Sequence, residues 1–198
     1  LLGVEPNLRW KTFSNLVLGL SRELGIEMLV TLGSLLADVP HTRPAPVTGA
    51  ATDPDLVSRL GLEPSRYEGP TGMVGVLHDA CSQAGLKSAS LWAAVPHYVS
   101  LTPSPRAAKA LVDRLADLLD ADVDRAELDE AADSYAEQVS EAVASDEETA
   151  AYVQELERRV DELEDESDLP TGDAIAAELT RFLRERENQN GDDDVARG

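Results

Sequence analysis

The sequence of 198 residues predicts an α/β fold, with a mainly parallel or mixed sheet covered by helices and an α-helical extension after it. At two places, apolar residues at helical spacing are followed by a glycine and then by an apolar segment of the length of a strand. Such strands, alternating with helices, are typical of sheets covered on both faces. The charge then changes abruptly, from a net −2 up to Pro105 to −19 beyond it, and ten of the 13 glycines precede Pro105.

The first helix–strand unit begins near Asn7. Apolar residues recur from there with the 3.6-residue period of a helix, and they are Leu8, Phe13, Leu16, Val17, Leu20 and Leu24. Gly25-Ile26 is typical of a left-handed helix cap with its hydrophobic contact. We therefore predict a helix over residues 7–24 and a strand over residues 26–32.

The second unit has the same design. Thr71 is a suitable N-cap for a helix whose apolar face contains Met73, Val74, Leu77, Ala80, Cys81 and Ala84. Gly85-Leu86 ends this helix, and residues 88–95 form the strand that follows. Between the two units, residues 46–51 predict a short strand. Asp53-Pro54 predicts the start of a short helix that ends at Gly61.

Beyond Pro105 every periodic segment is helical. The predicted starts are Ser104-Pro105, Asp124 with Glu127, Ser145 with Glu148 as a capping box, and Thr171 or Asp173. In the third of these helices Val153, Leu156, Val160 and Leu163 form a narrow seam of coiled-coil type. We predict an α/β core domain over residues 1–105, an acidic helical extension over 106–187 and a disordered tail over 188–198.

Composition excludes several classes of function. The net charge of −21 repels polyphosphate, so we expect no binding of nucleic acid. The longest apolar run, residues 91–95, is far below the roughly 18 residues of a membrane span, so we expect no membrane association. A single cysteine, Cys81, cannot form an internal disulfide. Because this fits a reducing compartment, we expect a cytoplasmic protein.

Two Pro-His loops are the first candidate for a ligand or partner site. Residues 39–44 follow one predicted strand and residues 95–98 follow the other. Ligand crevices of open α/β sheets lie at the carboxyl ends of strands, so four side chains could converge there. They are His41, Arg43, His97 and Tyr98. The favoured alternative for any one of them is a polar loop fixed by prolines, with the histidine bonded to the backbone.

A glycine-rich turn at residues 69–75 is the second candidate. Gly69, Thr71 and Gly72 precede a predicted helix, whose free amides and dipole can hold a phosphate or a carboxylate. The turn lacks the Lys and Ser/Thr of a P-loop. The favoured alternative is that Gly72 and Gly75 let the helix lie close to the sheet.

The other reactive side chains have structural interpretations. We expect His78 to be a partly buried structural histidine and Cys81 to be a small core residue. The sequence contains no Cys/His cluster with zinc spacing and no G-x-S-x-G elbow. It therefore indicates no metal site, no cofactor and no catalytic residue. The many carboxylates from Asp113 onward fit a solvated helix face.

Four segments carry a resemblance to a known family. They are E-P-N-L-R-W at 5–10, L-G-S-L-L-A-D-V-P-H-T-R-P at 32–44, S-R-Y-E-G-P-T-G at 65–72 and S-L-W-A-A-V-P-H-Y-V at 90–99. In this order they resemble the actinobacterial-type branch of the proteasome assembly chaperone two family. The resemblance continues through residues 152–163 and 172–175, so it covers nearly the whole chain.

The resemblance implies a phosphorylase-like, three-layer α/β sandwich and an oligomeric protein. It also implies that the opening strands of the domain precede Leu1. Eukaryotic and archaeal relatives act as chaperones of the proteasome and dock through a C-terminal hydrophobic-Tyr-any tripeptide. This sequence ends Val195-Ala196-Arg197-Gly198, without that tripeptide. The resemblance also implies a relation to nucleoside phosphorylases and, for some members by name, to ATP-grasp enzymes. The catalytic residues of neither enzyme class map onto this sequence.

Two hypotheses for function follow. The first is a non-catalytic interaction or assembly factor, a homo-oligomer that binds a protein partner, with proteasome core subunits as the candidate. The second is a small-molecule-binding protein or enzyme with a nucleoside-phosphorylase-like fold. Its pocket would be lined by the 69–72 turn and the side chains of the Pro-His loops. It requires these groups to lie within about one ligand's width of each other.

Overall fold

The computed structural model describes residues 4–51, 53–59, 72–99 and 101–167. Its elements are α1 (Trp10–Glu23), β1 (Met28–Ala37), β2 (Val47–Ala51), α2 (Pro54–Arg59), α3 (Met73–Gln83), β3 (Lys87–Pro96), α4 (Pro105–Leu119), α5 (Ala126–Ala144) and α6 (Glu147–Ser167). These match the type and order of the predicted elements. The predicted end of the short helix at Gly61, the predicted helix from residue 171 and the predicted tail lie outside the described residues.

The chain divides into two compact units, Leu1–Glu157 and Arg158–Gly198. The first contains the sheet and the helices α1 to α5, together with the first turns of α6. The predicted domain boundaries near residues 105 and 187 stay predictions. Within the described ranges, no helix combines the length and the apolar character that crossing a membrane requires.

The three strands form one mixed sheet in the order β1-β3-β2. β1 pairs with β3 in parallel over its whole length, from Met28 opposite Lys87 to Ala37 opposite Pro96. β2 pairs with β3 in the antiparallel direction. β1 is therefore longer than predicted, because this pairing carries it past the end of its apolar run. Since β1 and β3 end opposite each other, the loops that follow them leave from the same edge of the sheet.

The two helix–strand joints have the predicted shared design. Gly25 has a φ of 65° and Gly85 a φ of 71°, both in the left-handed region. After them, the Ile26 amide donates to Ser21 O at 2.8 Å and the Leu86 amide donates to Cys81 O at 2.9 Å. These bonds satisfy carbonyls at the helix end. The caps confirm that glycine ends both helices and directs the chain into the sheet.

Each face of the sheet has its own apolar cluster. On one face Ala89 and Leu91 of β3 pack with Leu56 of α2 and Leu118 of α4. The second cluster joins α1 and α3 with partly buried Leu29 of β1. Successive strand residues point to opposite faces, so helices cover the sheet on both sides. This is a mixed α/β fold as predicted, and the phosphorylase-like label stays a prediction.

The buried face of α1 differs from the predicted stripe. Ser14, Leu18 and Ser21 are buried, whereas Leu16 is 69% exposed and Leu24 is 65% exposed. Phe13 and Val17 of the predicted stripe are partly buried against the cluster that includes α3. The leucines of the stripe lie outside this contact and are exposed.

Four helix starts also differ from the prediction. α1 begins at Trp10 and not near Asn7, and the N-caps of α3 and α5 are Gly72 and Arg125 and not Thr71 and Asp124. At α6, Ser145 is the C-cap of α5, and its hydroxyl donates to Ala142 O at 2.6 Å. Asp146 takes the capping role instead, because its carboxylate accepts from the backbone amide of Glu148 at 3.4 Å and from the hydroxyl of Thr149 at 2.5 Å. The helix from Ser104-Pro105 begins as predicted, with Ser104 Oγ accepting from the Ala107 amide at 3.3 Å.

Gly33 in β1 leaves space for an aromatic ring. It lies opposite Trp92 of β3, and a Cβ atom at position 33 would come within 2.6 Å of that indole. A distance this short is a steric clash. Glycine is therefore required here by the close approach of a neighbouring ring and not by backbone conformation.

Candidate functional site

The Pro-His loops after β1 and β3 lie side by side. The His97 amide donates to Ala37 O at 3.2 Å, which ties the start of one loop to the start of the other. The phenol oxygen of Tyr98 accepts from the backbone amide of His41 at 2.8 Å and lies 2.9 Å from its Nδ1. The parallel register of β1 and β3 thus brings together two side chains that are far apart in the sequence.

The second ring nitrogen of His41 reaches α5. Its Nε2 lies 3.0 Å from Ser140 Oγ, and the Ser140 hydroxyl donates to Ala136 O at 2.9 Å. Because that bond uses the only hydroxyl hydrogen of Ser140, we assign the donor to Nε2. Nδ1 is then the acceptor for Tyr98. His41 is only 3% exposed, and its hydrogen bonds are complete with a neutral ring.

The protonation of His41 is set mainly by burial. Removal of the ring from water disfavours the imidazolium form and lowers the pKa of His41. Glu157 opposes this effect and Arg106 adds to it. Burial also raises the pKa of Tyr98, against the hydrogen bond from the His41 amide. Both groups are therefore held in their neutral forms.

An aromatic cluster continues outward from His41. The rings of His97, Tyr98 and Tyr152 contact one another edge to face, with centroids 5.5 to 6.1 Å apart. His97 Nδ1 lies 3.0 Å from a carboxylate oxygen of Asp38, and the side chains of His97 and Asp38 are 45% and 72% exposed. We call these four residues, Asp38, His97, Tyr98 and Tyr152, the strand-end surface.

Arg43 lies beside this cluster and contacts Glu157 of α6 and Arg106 of α4. Its Nη1 is 3.9 Å from a carboxylate oxygen of Glu157, and its carbonyl oxygen accepts from Arg106 Nη2 at 2.7 Å. The hydroxyl of Thr42 donates to Glu157. The first turns of α6 are thus bonded to the loop after β1.

A small cavity lies behind the loops. Its volume is about 10 Å³, which holds about one water molecule. It is lined by Val39, Pro40, His41, Arg43, Ala45, Ala94, Pro96, Ser104, Arg106 and Tyr135. The space is too small for a nucleoside or for another metabolite of that size.

Of the glycine-rich turn, the structure describes Gly72 and the residues after it. Gly69 and Thr71 lie outside the described residues, and Gly72 is exposed at the start of α3. The amide of Met73, next to Gly72, donates to the carboxylate of Glu5 at 2.8 Å. A Cβ atom at Gly72 would meet only that carboxylate, at 3.7 Å. Close packing on the sheet therefore does not explain Gly72, and a carboxylate of the chain itself already takes the amide of Met73.

His78 has the structural role that the sequence predicts. Its Nδ1 lies 2.8 Å from Ser88 Oγ of β3 and its Nε2 lies 3.0 Å from Thr31 Oγ1 of β1. Burial alone lowers the pKa of His78. Cys81 is fully buried in the cluster beneath α3, and burial raises the pKa of its thiol. Neither side chain belongs to the strand-end surface.

The sequence did not single out several residues around His41. Ser140 and Glu157 come from α5 and α6, at helix positions that no local pattern distinguishes. Tyr135 of α5 donates its hydroxyl to Leu101 O at 3.1 Å. Tyr152 is an aromatic residue in a strongly acidic helix, and this is the one local signal that marks the cluster. No group of His, Cys, Asp and Glu suitable for a metal ion occurs within the described part of the chain.

The family profile for PAC2 matches residues 1–143. The chain belongs to the PAC2 family. This confirms the resemblance identified from the four motifs. No curated protein gives a significant match.

Solved structures agree with the PAC2 assignment. A PAC2 family protein from Streptomyces avermitilis is 50% identical, with a TM-score of 0.70 over 76% of this chain and 63% of that chain. A proteasome-assembly chaperone homologue from Mycobacterium tuberculosis is 48% identical, with a TM-score of 0.69 over 76% and 64%. This PAC2 chain thus spans less than two thirds of either relative.

One more distant structure shares the fold alone. An archaeal homologue of proteasome-assembly chaperones from Pyrococcus furiosus is 24% identical, with a TM-score of 0.55 over 70% of this chain and 60% of that chain. The mixed α/β architecture is therefore common to bacterial and archaeal proteins of this type.

Proposed function

We propose that this PAC2 protein is a chaperone-like, non-catalytic assembly factor that binds a protein partner through the strand-end surface. The proposal is supported by the 48% identity to a proteasome-assembly chaperone homologue. Proteasome core subunits are accordingly the candidate partner. We further propose that the protein acts in the cytoplasm and as a homo-oligomer.

The observation that carries the proposal is the filling of the strand ends by the protein's own side chains. His41, Tyr98 and Ser140 satisfy one another's hydrogen bonds, and the cavity beside them is about 10 Å³. Outward, His97 and Asp38 present an exposed imidazole and carboxylate next to tyrosine rings. Tyrosine is enriched among the residues that dominate protein–protein binding, so this arrangement favours a macromolecular contact.

Charge indicates which partners the protein attracts. The net charge of −21 lies almost entirely beyond Pro105, in the part of the chain that includes α4, α5 and α6. Such a field accelerates encounter with a basic surface and repels acidic ones, and salt weakens the effect. A partner of the strand-end surface should therefore present basic residues around an apolar centre.

A binding experiment tests the proposal. The full chain is immobilised and incubated with purified proteasome core subunits at 50 and 300 mM salt, beside a double variant His97→Ala/Tyr152→Ala. We expect binding at low salt, weaker binding at high salt and a loss of at least about tenfold in the double variant. Gln83→Ala is the matched control, because Gln83 is exposed on α3 and bonds only to Asp79. Absence of binding at low salt would contradict the proposal. Equal binding by the double variant and by Gln83→Ala would contradict it too.

The second candidate is the small-molecule-binding protein or enzyme. The hydrogen bond between His41 and Tyr98 at the strand ends favours this candidate. The cavity volume of about 10 Å³ speaks against it, because a metabolite does not fit there. Thermal shifts with nucleosides, phosphate and carboxylates decide between the two. A ligand at 100 times its dissociation constant stabilises the folded state by about 2.7 kcal/mol, which is easily detected. Such a shift, abolished by His41→Gln, would favour the second candidate.

A further inference from the structure

His41 joins three segments that are distant in the sequence. Its ring binds Tyr98, 57 residues away, and Ser140, 99 residues away. Tyr98 in turn contacts the ring of Tyr152 in α6. One imidazole therefore connects the loop after β1, the loop after β3 and the C-terminal half of α5, and it reaches α6 through Tyr98.

This connection works only with a neutral ring. Ser140 Oγ accepts from Nε2, and Nδ1 accepts from Tyr98, whose oxygen already accepts from the His41 amide. If Nδ1 gains a proton, the Tyr98 oxygen faces two donors from His41 and its own hydrogen loses its acceptor. The ring is 3% exposed, so water cannot replace the lost partner without an opening of the structure.

The charged and titratable groups around His41 come from every neighbouring segment. Arg106 of α4 disfavours a charged ring, and Glu157 of α6 favours it. Glu157 is itself bonded to Thr42 and lies near Arg43, which reduces its effect on the imidazole. Tyr98 and Tyr152 face the same cluster from the loop after β3 and from α6, and Tyr135 of α5 contributes a phenol. Burial raises the pKa of Tyr98, so its phenol is neutral at mildly acidic pH.

We propose that His41 is a proton-sensitive clasp, through which mildly acidic pH loosens the C-terminal half of α5 and the first turns of α6 from the strand-end loops. Protonation of Nδ1 ends its acceptor role toward Tyr98 and places a charge on a ring that is 3% exposed. Since a buried charge is costly, the imidazolium moves towards water and leaves both Tyr98 and Ser140. The proposal goes beyond the binding function and does not depend on it. Helix opening can occur whether or not a partner binds.

The chain provides internal references for this clasp. It contains three histidines, and histidine is the residue type whose unperturbed charge change falls between pH 5 and 8. The N-terminal part of α5 is held separately, because Lys109 of α4 pairs with Asp129. The clasp therefore predicts acid-induced opening near Ser140 and not near Asp129.

Amide hydrogen exchange on the full chain, read by mass spectrometry from pH 7.5 to 5.0 and corrected for intrinsic exchange rates, tests the proposal. We expect opening of residues 136–157 to rise by up to about tenfold per pH unit below about 6.5, since one proton is taken up on opening. His41→Gln should open more at pH 7.5 and lose this dependence. His78→Gln is the matched control, because it alters an equally bonded histidine under α3 and should leave the pH dependence of residues 136–157 unchanged.

Two outcomes would overturn the clasp. One is a pH dependence of residues 136–157 that persists in His41→Gln. The other is equal acid-induced opening around Asp129 and around Ser140, which would indicate unfolding of the whole of α5. If His41→Gln does not fold, Ser140→Ala decides, since it changes an exposed hydroxyl that bonds Nε2. The clasp predicts a smaller pH dependence in Ser140→Ala, and an unchanged one would contradict it.

Discussion

The sheet with its flanking helices differs from α5 and the first turns of α6 in its further contacts. Both regions contain buried apolar side chains, among them Leu91 in the sheet and Val139 and Leu156 in the helices. β1 and β3 share ten backbone pairs, whereas α5 and the first turns of α6 contact the loops through hydrogen bonds and ring contacts of His41, Tyr98 and Tyr152. Backbone pairing is insensitive to pH, whereas a bonded imidazole is not. The comparison teaches that the attachment of α5 to the loops can respond to conditions that leave the strand pairing unchanged.

The largest expected effect comes from the sheet. Leu91→Ala removes a fully buried side chain of β3 from the cluster with Leu56 and Leu118. We expect a loss of about 2 to 5 kcal/mol in the free energy of unfolding, measured by urea denaturation. Leu36→Ala, at a position that is 69% exposed, is the control and should change stability little. Equal losses in both variants would show that the cluster is not the core.

The next effect separates the two regions. Tyr98→Phe removes the hydroxyl that accepts from the His41 amide and bonds its Nδ1. Loss of a buried hydrogen-bond partner costs about 1 to 3 kcal/mol. We expect this loss of stability to appear as faster amide exchange in residues 136–157. Exchange in β3 should change little. Tyr135→Phe, which loses a single bond to Leu101 O, should have the smaller effect of the two.

The packing of the sheet against Trp92 can be tested at Gly33. Gly33→Ala places a Cβ atom 2.6 Å from the indole, and overpacking of this kind costs about 1 to 3 kcal/mol. Gly19→Ala is the matched control, because a Cβ atom there meets nothing within 4 Å and alanine favours helix by about 1 kcal/mol. We therefore expect opposite signs for the two variants in thermal denaturation. The same sign for both would contradict the assigned role of Gly33.

The pH dependence of stability gives a smaller effect with a defined sign. Burial lowers the pKa of both His41 and His78 in the folded state, so the unfolded chain binds more protons below its histidine pKa of about 6.5. Stability should therefore be full above that pH and fall as the pH is lowered towards the folded pKa values. Urea midpoints at pH 7.5 and 5.5 measure this fall, and His41→Gln and His78→Gln should each reduce it.

The smallest effect is expected at the ion pairs between α4 and the start of α5. Lys109 with Asp129 and Arg125 with Asp113 lie at the surface, where water and salt screen the attraction. We expect Lys109→Met to change the thermal midpoint less than any variant above, and the change to vanish at 1 M salt. A large loss at high salt would indicate that Lys109 contributes through packing.

The sequence predicts the fold well where a local rule operates. Gly25 and Gly85 end helices because the left-handed conformation disfavours a Cβ atom, and that rule needs no neighbour. The face of α1 could not be predicted, since Ser14 and Ser21 are polar residues that are buried only in the packed structure. The length of β1 was underestimated for a similar reason, because Ser34 and Ala37 belong to the strand only through pairing with β3.

The cluster around His41 was predictable in part. The rule that ligands gather at strand ends placed His41, His97 and Tyr98 near one another, and whether they form a site stays a prediction. Ser140 and Glu157 could not be found in the same way, because they are polar residues on helices with many exposed polar positions. Their pairing with the loop after β1 spans 99 residues and 115 residues. Only the packing of the whole first unit brings them there.

The parallel pairing of β1 with β3 has a consequence for synthesis of the chain. Each pair joins residues about 60 positions apart, so β1 leaves the ribosome well before its partner exists. Leu32, Leu35 and Leu36, which remain exposed even in the folded chain, are then available to other nascent chains. Late pairing of strands so far apart in the sequence slows folding and populates aggregation-prone intermediates. Yield in a cell-free system should therefore rise when a holdase is added and fall when translation is slowed.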